Sequence, residues 1–349
     1  MKLLKRLSEA NGVPSREEQV RAIIEAELKG VVDEMSVDAM GNLTAIKRVK
    51  GKKAAPKAMV AAHMDEIGFL VKHIEDKGFL RLQNVGGFDT RNLFARQVTV
   101  HASLAGAELP GVLNPAGKPI HISTPEERSK VPTLDMFFVD LGMDGAAVKE
   151  KVRVGDMVTL RQEFIDMGDV VTGKALDDRV GCWVLIQALK RLKKPAFEVH
   201  AVFTVQEEVG LRGATTGAHR VAPDVGIALD TTLAVDIPDV KEHQGVTRLG
   251  NGVGIKVMDS SAISTRWLLD EFIALAEKKK ITYQLEVLPL GGTDAGAMQK
   301  SRDGVPSITL STPSRYVHTV TEMVSKADLE AEVALLAAYL QEGTARLQG

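Results

Sequence analysis

Two histidines and a set of carboxylates stand where apolar runs of this chain stop. KAMVAAHMDEIG, residues 57–68, is largely apolar until His63 and Asp65. FEVHAVFTVQEEVG ends on the neighbouring acids Glu207 and Glu208, VGIALD ends on Asp230, and GVPSITLSTPSRYVHT carries His318 in the loop that follows its apolar run. TGKALDDRVG places Asp177 and Asp178 just ahead of a helical pattern. One acid after one strand is ordinarily a helix cap or a solvated turn. Two imidazoles and several carboxylates at one edge are a different matter. Buried like charges are costly unless protons or cations neutralise them, and divalent metal is the least costly resolution. Nitrogen and oxygen donors without a thiolate suit zinc, cobalt or manganese and argue against iron–sulfur or copper(I). Successive side chains of an extended chain point to opposite faces. Of the doublet Glu207–Glu208, one can therefore bind a metal while the other faces the substrate as a proton carrier, a division that fits metal-assisted hydrolysis.

Such a set converges only on a scaffold that delivers strand ends to one edge. Apolar strands at 199–205, 225–229, 285–290 and 305–310 alternate with helical stretches at 178–194 and 264–280. That alternation predicts an α/β layer fold with a largely parallel, two-sided sheet, whose ligands bind outside the carboxyl ends of the strands. Ser15 and Glu18 read as a capping box for a helix through Val20, Ile24 and Leu28 that Gly30 stops. Ser325 and Asp328 read as caps of a last helix lined by Leu329, Val333, Leu336 and Leu340 and ended by Gly343. Residues 67–168 break the pattern. FLVKHI, FLRLQNV, RQVTVHA and DMVTLRQ are short β-like pieces separated by Gly, Pro and Asp, with one short helix near 142–151. They read as a β-rich domain inserted into an α/β domain made of residues 1–66 and 169–349.

The totals narrow the class. With 349 residues and a net charge of −2, the chain suits one large domain or two unequal ones and offers no field for a polyanion such as nucleic acid. No apolar run approaches the ~20 residues of a membrane span, and MKLLKRLSEANG lacks the apolar core of a signal peptide. Cys182 is the only cysteine and reads as a small core residue; a reducing cytoplasm is expected. Aromatics at 4% argue against the stacking platforms of a two-carboxylate glycosidase. His73, His101, His121, His200, His219 and His243 read as structural or surface residues.

AAHMDEIGF, GKALDDRVG, VQEEVGLRGA, ALD, GGTDAGA and RYVHT, in this order along the chain, resemble the M42 metallo-aminopeptidases, the glutamyl and tetrahedral aminopeptidase family. The resemblance implies a zinc-peptidase-type three-layer α/β catalytic domain with an inserted PDZ-like β-rich dimerisation domain. It implies two divalent metal ions, zinc or cobalt with manganese as a third choice. His63 and Asp230 would bind one, His318 and Glu208 the other, and Asp177 would bridge them. Glu207 would be the general base acting on a metal-bridging water, and Asp65 the acceptor that fixes the His63 imidazole. A cis peptide between Asp177 and Asp178 is implied as well. The expected activity is removal of N-terminal residues from peptides; another di-metal amidohydrolase, a carboxypeptidase or an N-acyl amino acid deacylase, is the alternative. The expected state is a homo-oligomer, from dimer to dodecamer. Arg315, Tyr316 and Gly291–Thr293 would shape the pocket.

Overall fold

Ala58, Met59, Val60, Ala61 and Ala62 are all fully buried, as a strand covered on both faces requires. The computed structural model describes residues 1–51 and 54–347. Its first strands are β1 (Glu34–Val37), β2 (Leu43–Lys47) and β3 (Lys57–His63). Next come β4 (Gly68–Ile74), β5 (Leu80–Val85), β6 (Arg96–Ala102), β7 (Ala107–Pro115), β8 (Phe137–Asp140) and β9 (Met157–Leu160). The chain continues with β10 (Ile165–Asp166), β11 (Val170–Gly173), β12 (Glu198–Thr204), β13 (Val225–Leu233), β14 (Val253–Met258), β15 (Tyr283–Val287), β16 (Ser307–Arg315) and β17 (Glu322–Ser325). The helices are α1 (Lys2–Glu9), α2 (Glu18–Leu28), α3 (Pro125–Ser129), α4 (Gly145–Lys151), α5 (Leu176–Arg191), α6 (Arg212–Val221), α7 (Arg266–Lys279), α8 (Asp294–Gln299) and α9 (Lys326–Glu342).

Eleven strands form one sheet, in the order β1-β2-β12-β3-β13-β16-β17-β11-β10, with β14 on β16 and β15 on β14. Its centre, β12-β3-β13-β16, is parallel. Its margins are antiparallel except for β15, which pairs parallel with β14, so the sheet is more mixed than the strand–helix alternation suggests. Alternate residues of β3 feed opposite faces. Ala58, Val60 and Ala62 join the large core with α5 and α9, whereas Met59 and Ala61 pack with Ala218 of α6 and Met298 of α8. The other six strands, β4-β5-β8-β7-β6-β9, close into a separate barrel around Phe69, Val98, Val100, Phe137 and Val158. The parallel register sets Thr204 beside His63 and Asp230 beside Ser311, so these strand ends emerge along one edge.

Several local expectations change. Helix α1 precedes the first helix read from the sequence. The Ser15–Glu18 capping box does not form. Ser15 adopts a left-handed φ of 70°, and the Glu17 carboxylate accepts from its N–H instead. Ser325 does cap α9, accepting from the Ala327 N–H at 3.2 Å, but Asp328 turns away to accept from Gly250 and Gly252 at 2.7 Å each. Asp328 serves partners 76 and 78 positions away, and Glu17 also serves Gln206, contacts that a local pattern does not contain. Arg179 is fully buried and donates to the carbonyls of Leu7, Ala10 and Met64, tying the chain's start to the exit of β3.

Candidate active site

The strand ends and helix starts deliver six of the predicted residues to one open cavity of about 280 Å³. His63, Asp177, Glu207, Glu208, Asp230 and His318 line it with Leu211, Gly291 and Gly292. Asp177 lies at its centre. Its Oδ1 stands 3.3 Å from His63 Nε2, and its Oδ2 stands 3.6 Å from His318 Nε2. Glu208 Oε1 is 3.5 Å from His318 Nε2, and Glu207 Oε2 is 4.0 Å from His63 Nε2. Ligand atoms of His63, Asp177 and Glu208 lie within 4.8 Å of one another.

Buried carboxylates hold the backbone beneath these groups. Asp65, fully buried outside the cavity, accepts from the N–H groups of Glu207 and Glu208 at 3.0 and 3.1 Å. Its backbone carbonyl, 3.0 Å from His63 Nδ1, is the nearer acceptor for the imidazole; its carboxylate is 3.6 Å away. Asp65 thus holds the acidic doublet as well as the histidine, a second task that its position in the sequence did not suggest. Asp178 accepts from the N–H groups of His63 and Gly181, so it fixes the backbone of His63 and the start of α5 while Asp177 faces the cavity. The peptide between the two is cis. Glu322, which the sequence reading missed, accepts from both Asp177 N and His318 N, at 3.0 and 2.9 Å. Non-glycine residues in the left-handed region gather here as well: Ala175, Gln206, Leu211, Tyr316 and His318. Such conformations cost about 1–3 kcal/mol each and persist where the surroundings impose them.

Barrel backbone comes up beside the site. At Gly86 (φ 87°) an added Cβ would meet Ile67 at 2.5 Å and Glu208 Oε2 at 3.2 Å, and at Gly87 it would lie 3.6 Å from His318 Nδ1. A glycine pair after β5 therefore lets barrel backbone approach both site residues. The pocket residues expected from the loops divide. Gly291 and Gly292 line the cavity, Thr293 is buried and bonds Thr309, and Arg315 is held by Asp236 at 2.7 and 3.0 Å.

The charges are out of balance. Burial first, and then neighbouring negative charge, pushes Glu207, Glu208 and Asp230 well above the usual carboxylate range. Burial opposes a charged His63, yet the carboxylates of Asp177 and Asp65 prevail and raise it. The same burial acts on Asp177, where the His63 imidazole prevails and lowers it. Burial and the charge of Asp177 carry Glu322 up to about 8. Asp177 Oδ1 is buried without a hydrogen-bond partner. An acid-rich, thiolate-free set of nitrogen and oxygen donors with an orphaned carboxylate oxygen at its centre is what divalent cations need; the residues fit them.

Glu17 completes the frame. It accepts from Gln206 N, next to the doublet, and burial with the charge of Asp65 raises it from 4.5 to about 7. A raised acid contributes stability that is full below its unfolded pKa and lost as pH rises through the folded one. Both its backbone donors use one oxygen, Oε1, which a glutamine also offers. Glu17→Gln is therefore expected to melt above wild type at about pH 8, by about 3 kcal/mol, with the gap closing toward pH 4.5. Paired thermal melts across pH check this; an offset that does not vary with pH refutes it.

The family model for M42 glutamyl aminopeptidases matches residues 41–335. A putative aminopeptidase of Acetivibrio thermocellus is 40% identical over 338 residues, covering 96% of each chain. Among solved structures, an aminopeptidase from the archaeon Desulfurococcus kamchatkensis superposes with a TM-score of 0.93 at 38% identity, covering 100% of this chain and 97% of that one. The TET1 peptidase of Pyrococcus horikoshii, which can assemble into a tetrahedron or a large octahedral shell, superposes at 0.86 with 33% identity, covering 98% of this chain and 99% of its own.

Proposed function

Because the chain belongs to the M42 glutamyl aminopeptidase family and is an aminopeptidase, a hydrolase, we propose that it removes N-terminal residues from peptides with two divalent cations and Glu207 as general base. His63 and Asp230 would hold one cation, His318 and Glu208 the other, and Asp177 both. When bound, the cations supply Lewis-acid polarisation of the scissile carbonyl and a lowered pKa for the attacking water. The protein does the rest. Glu207, left free of ligand duty, takes the proton of that water and hands it to the departing amine. A free α-amino group would bind beside the cations and their acidic ligands, which favours chain ends over internal peptide bonds. Asp65 and Glu322 keep these side chains from drifting by holding their backbones. The carrying observation is the single carboxylate of Asp177 set between two imidazoles.

Zinc, cobalt and manganese suit these donors. A panel of aminoacyl-p-nitroanilides against N-acyl amino acids and peptides with blocked N-termini, each metal in turn, tests the assignment. Turnover confined to free N-termini is expected. Cleavage of N-acyl amino acids instead would make the chain a deacylase, and C-terminal trimming of blocked peptides a carboxypeptidase.

The proposal extends to organisation. Residues 67–168 would act as a PDZ-like dimerisation domain on a zinc-peptidase-type catalytic domain of 1–66 and 169–349, in a homo-oligomer between dimer and dodecamer. The similar TET1 shells support this, as do Val112, Ile120 and Ile122, apolar and exposed in the inserted segment. Light scattering after size exclusion should give a multimer, and a monomer would overturn that role. A cytoplasmic setting accords with the lone buried Cys182, and no helix among the described residues is long and apolar enough to cross a membrane.

A further inference from the structure

We infer that the catalytic cleft continues into a second, cationic subsite that takes the C-terminal carboxylate of short peptide substrates. The inference rests on the aminopeptidase reading above. A cavity of about 630 Å³ lies between α6 and α8, and Thr215, Thr216, His219, Lys300 and Arg302 contribute to its lining. Leu211 lines both this cavity and the catalytic one, so the two spaces share a wall.

Their charges are opposite. Asp177, Glu207, Glu208 and Asp230 line the catalytic cavity, and no carboxylate lines the second. Lys300 and Arg302 are exposed and form no ion pair among the described residues. Lys300 caps the C-terminus of α8 and His219 lies in the last turn of α6, where a cation complements the helix end. Arg302 lies beyond both helices, at a left-handed φ of 56°, and helix polarity does not account for it. A short peptide is a zwitterion. On the aminopeptidase reading its amino end sits in the catalytic cavity, and its carboxylate end matches a rim of two cations and an imidazole, the Thr215 and Thr216 hydroxyls already donating to the carbonyls of Leu211 and Gly213. This complementarity selects substrates by length, because both ends engage only when the peptide spans the shared wall.

The test uses the metal-loaded enzyme and peptides from di- to pentapeptide, each as free acid and as C-terminal amide, with the N-terminal residue that the p-nitroanilide panel selects. At one length the acid should exceed the amide in kcat/KM by about three- to ten-fold, the scale of a few exposed charge contacts. Raised salt should shrink that ratio, because exposed charges are screened over about 10 Å at 0.1 M. In the double variant Lys300→Ala/Arg302→Ala the ratio should fall to near one, while p-nitroanilide hydrolysis, which involves no terminal carboxylate, stays at the wild-type rate. Equal cleavage of acid and amide at every length overturns the inference, as does a ratio that survives the double substitution. An amidated peptide with an internal glutamate that matches the acid would reassign the subsite to side-chain carboxylates and overturn the terminal one. Loss of p-nitroanilide hydrolysis in the wild type would instead overturn the aminopeptidase reading itself, a separate result.

Discussion

Glu207→Gln is expected to lose about 10²–10⁴-fold in kcat, the usual contribution of a positioned general base. The amide keeps the shape of the side chain but cannot take a proton. The fold should not register the change. Glu207 N is held by Asp65 through the backbone, which the substitution leaves alone, and the carboxylate makes no closer contact to His63 than 4.0 Å. The proposed cation ligands His63, Asp177, Glu208, Asp230 and His318 are untouched. Metal content and melting temperature should therefore match wild type, with KM changed little, which separates loss of the base from loss of the site. Steady-state kinetics on an aminoacyl-p-nitroanilide, with elemental analysis of the same sample, make the measurement. Turnover within a few-fold of wild type would remove Glu207 from the base role and shift attention to another lining carboxylate.

Stripping the cations should have the larger effect. Lewis-acid polarisation is worth several kcal/mol, or about 10³-fold or more in rate. Dialysis against a chelator should take turnover to background, and zinc or cobalt should restore it. The folded chain should also melt lower when stripped, because a ligand that binds only the native state stabilises it, by about 2.7 kcal/mol at a hundred-fold excess over Kd. Asp177 offers the sharper comparison. Its two oxygens face different imidazoles, so Asp177→Asn should reduce both cations, whereas His318→Ala should reduce chiefly one. Elemental analysis distinguishes the two. Equal metal content in Asp177→Asn and wild type would refute a shared carboxylate.

Much of the candidate set is legible because its donors fall where apolar periodicity ends. His63 follows five buried residues of β3, Glu207 and Glu208 follow β12, and Asp230 lies in β13. A two-sided parallel centre needs continuous apolar strands, and continuous runs advertise their ends. The frame around the set is not legible. Asp65 reaches amides 142 and 143 positions away, and Glu322 reaches one 145 away. Glu17 was passed over for a capping box between its neighbours, although its carboxylate serves Gln206, 189 positions on. Gly86 and Gly87 follow β5 of the barrel, and nothing in VGGF points to a histidine near the other end of the chain.

Sequence alone singled out the candidate donors that the structure brings to one cavity, because donor type and strand-end position are local properties of the chain. Tertiary structure decided how those side chains are held and that a cationic hollow adjoins the acidic one, while Asp177 rather than Asp178 faces the cavity, as the resemblance implied. Each of these depends on hydrogen bonds and shared walls between segments far apart along the backbone, and such pairings exist only once the sheet, the barrel and helices α5, α6 and α8 have packed.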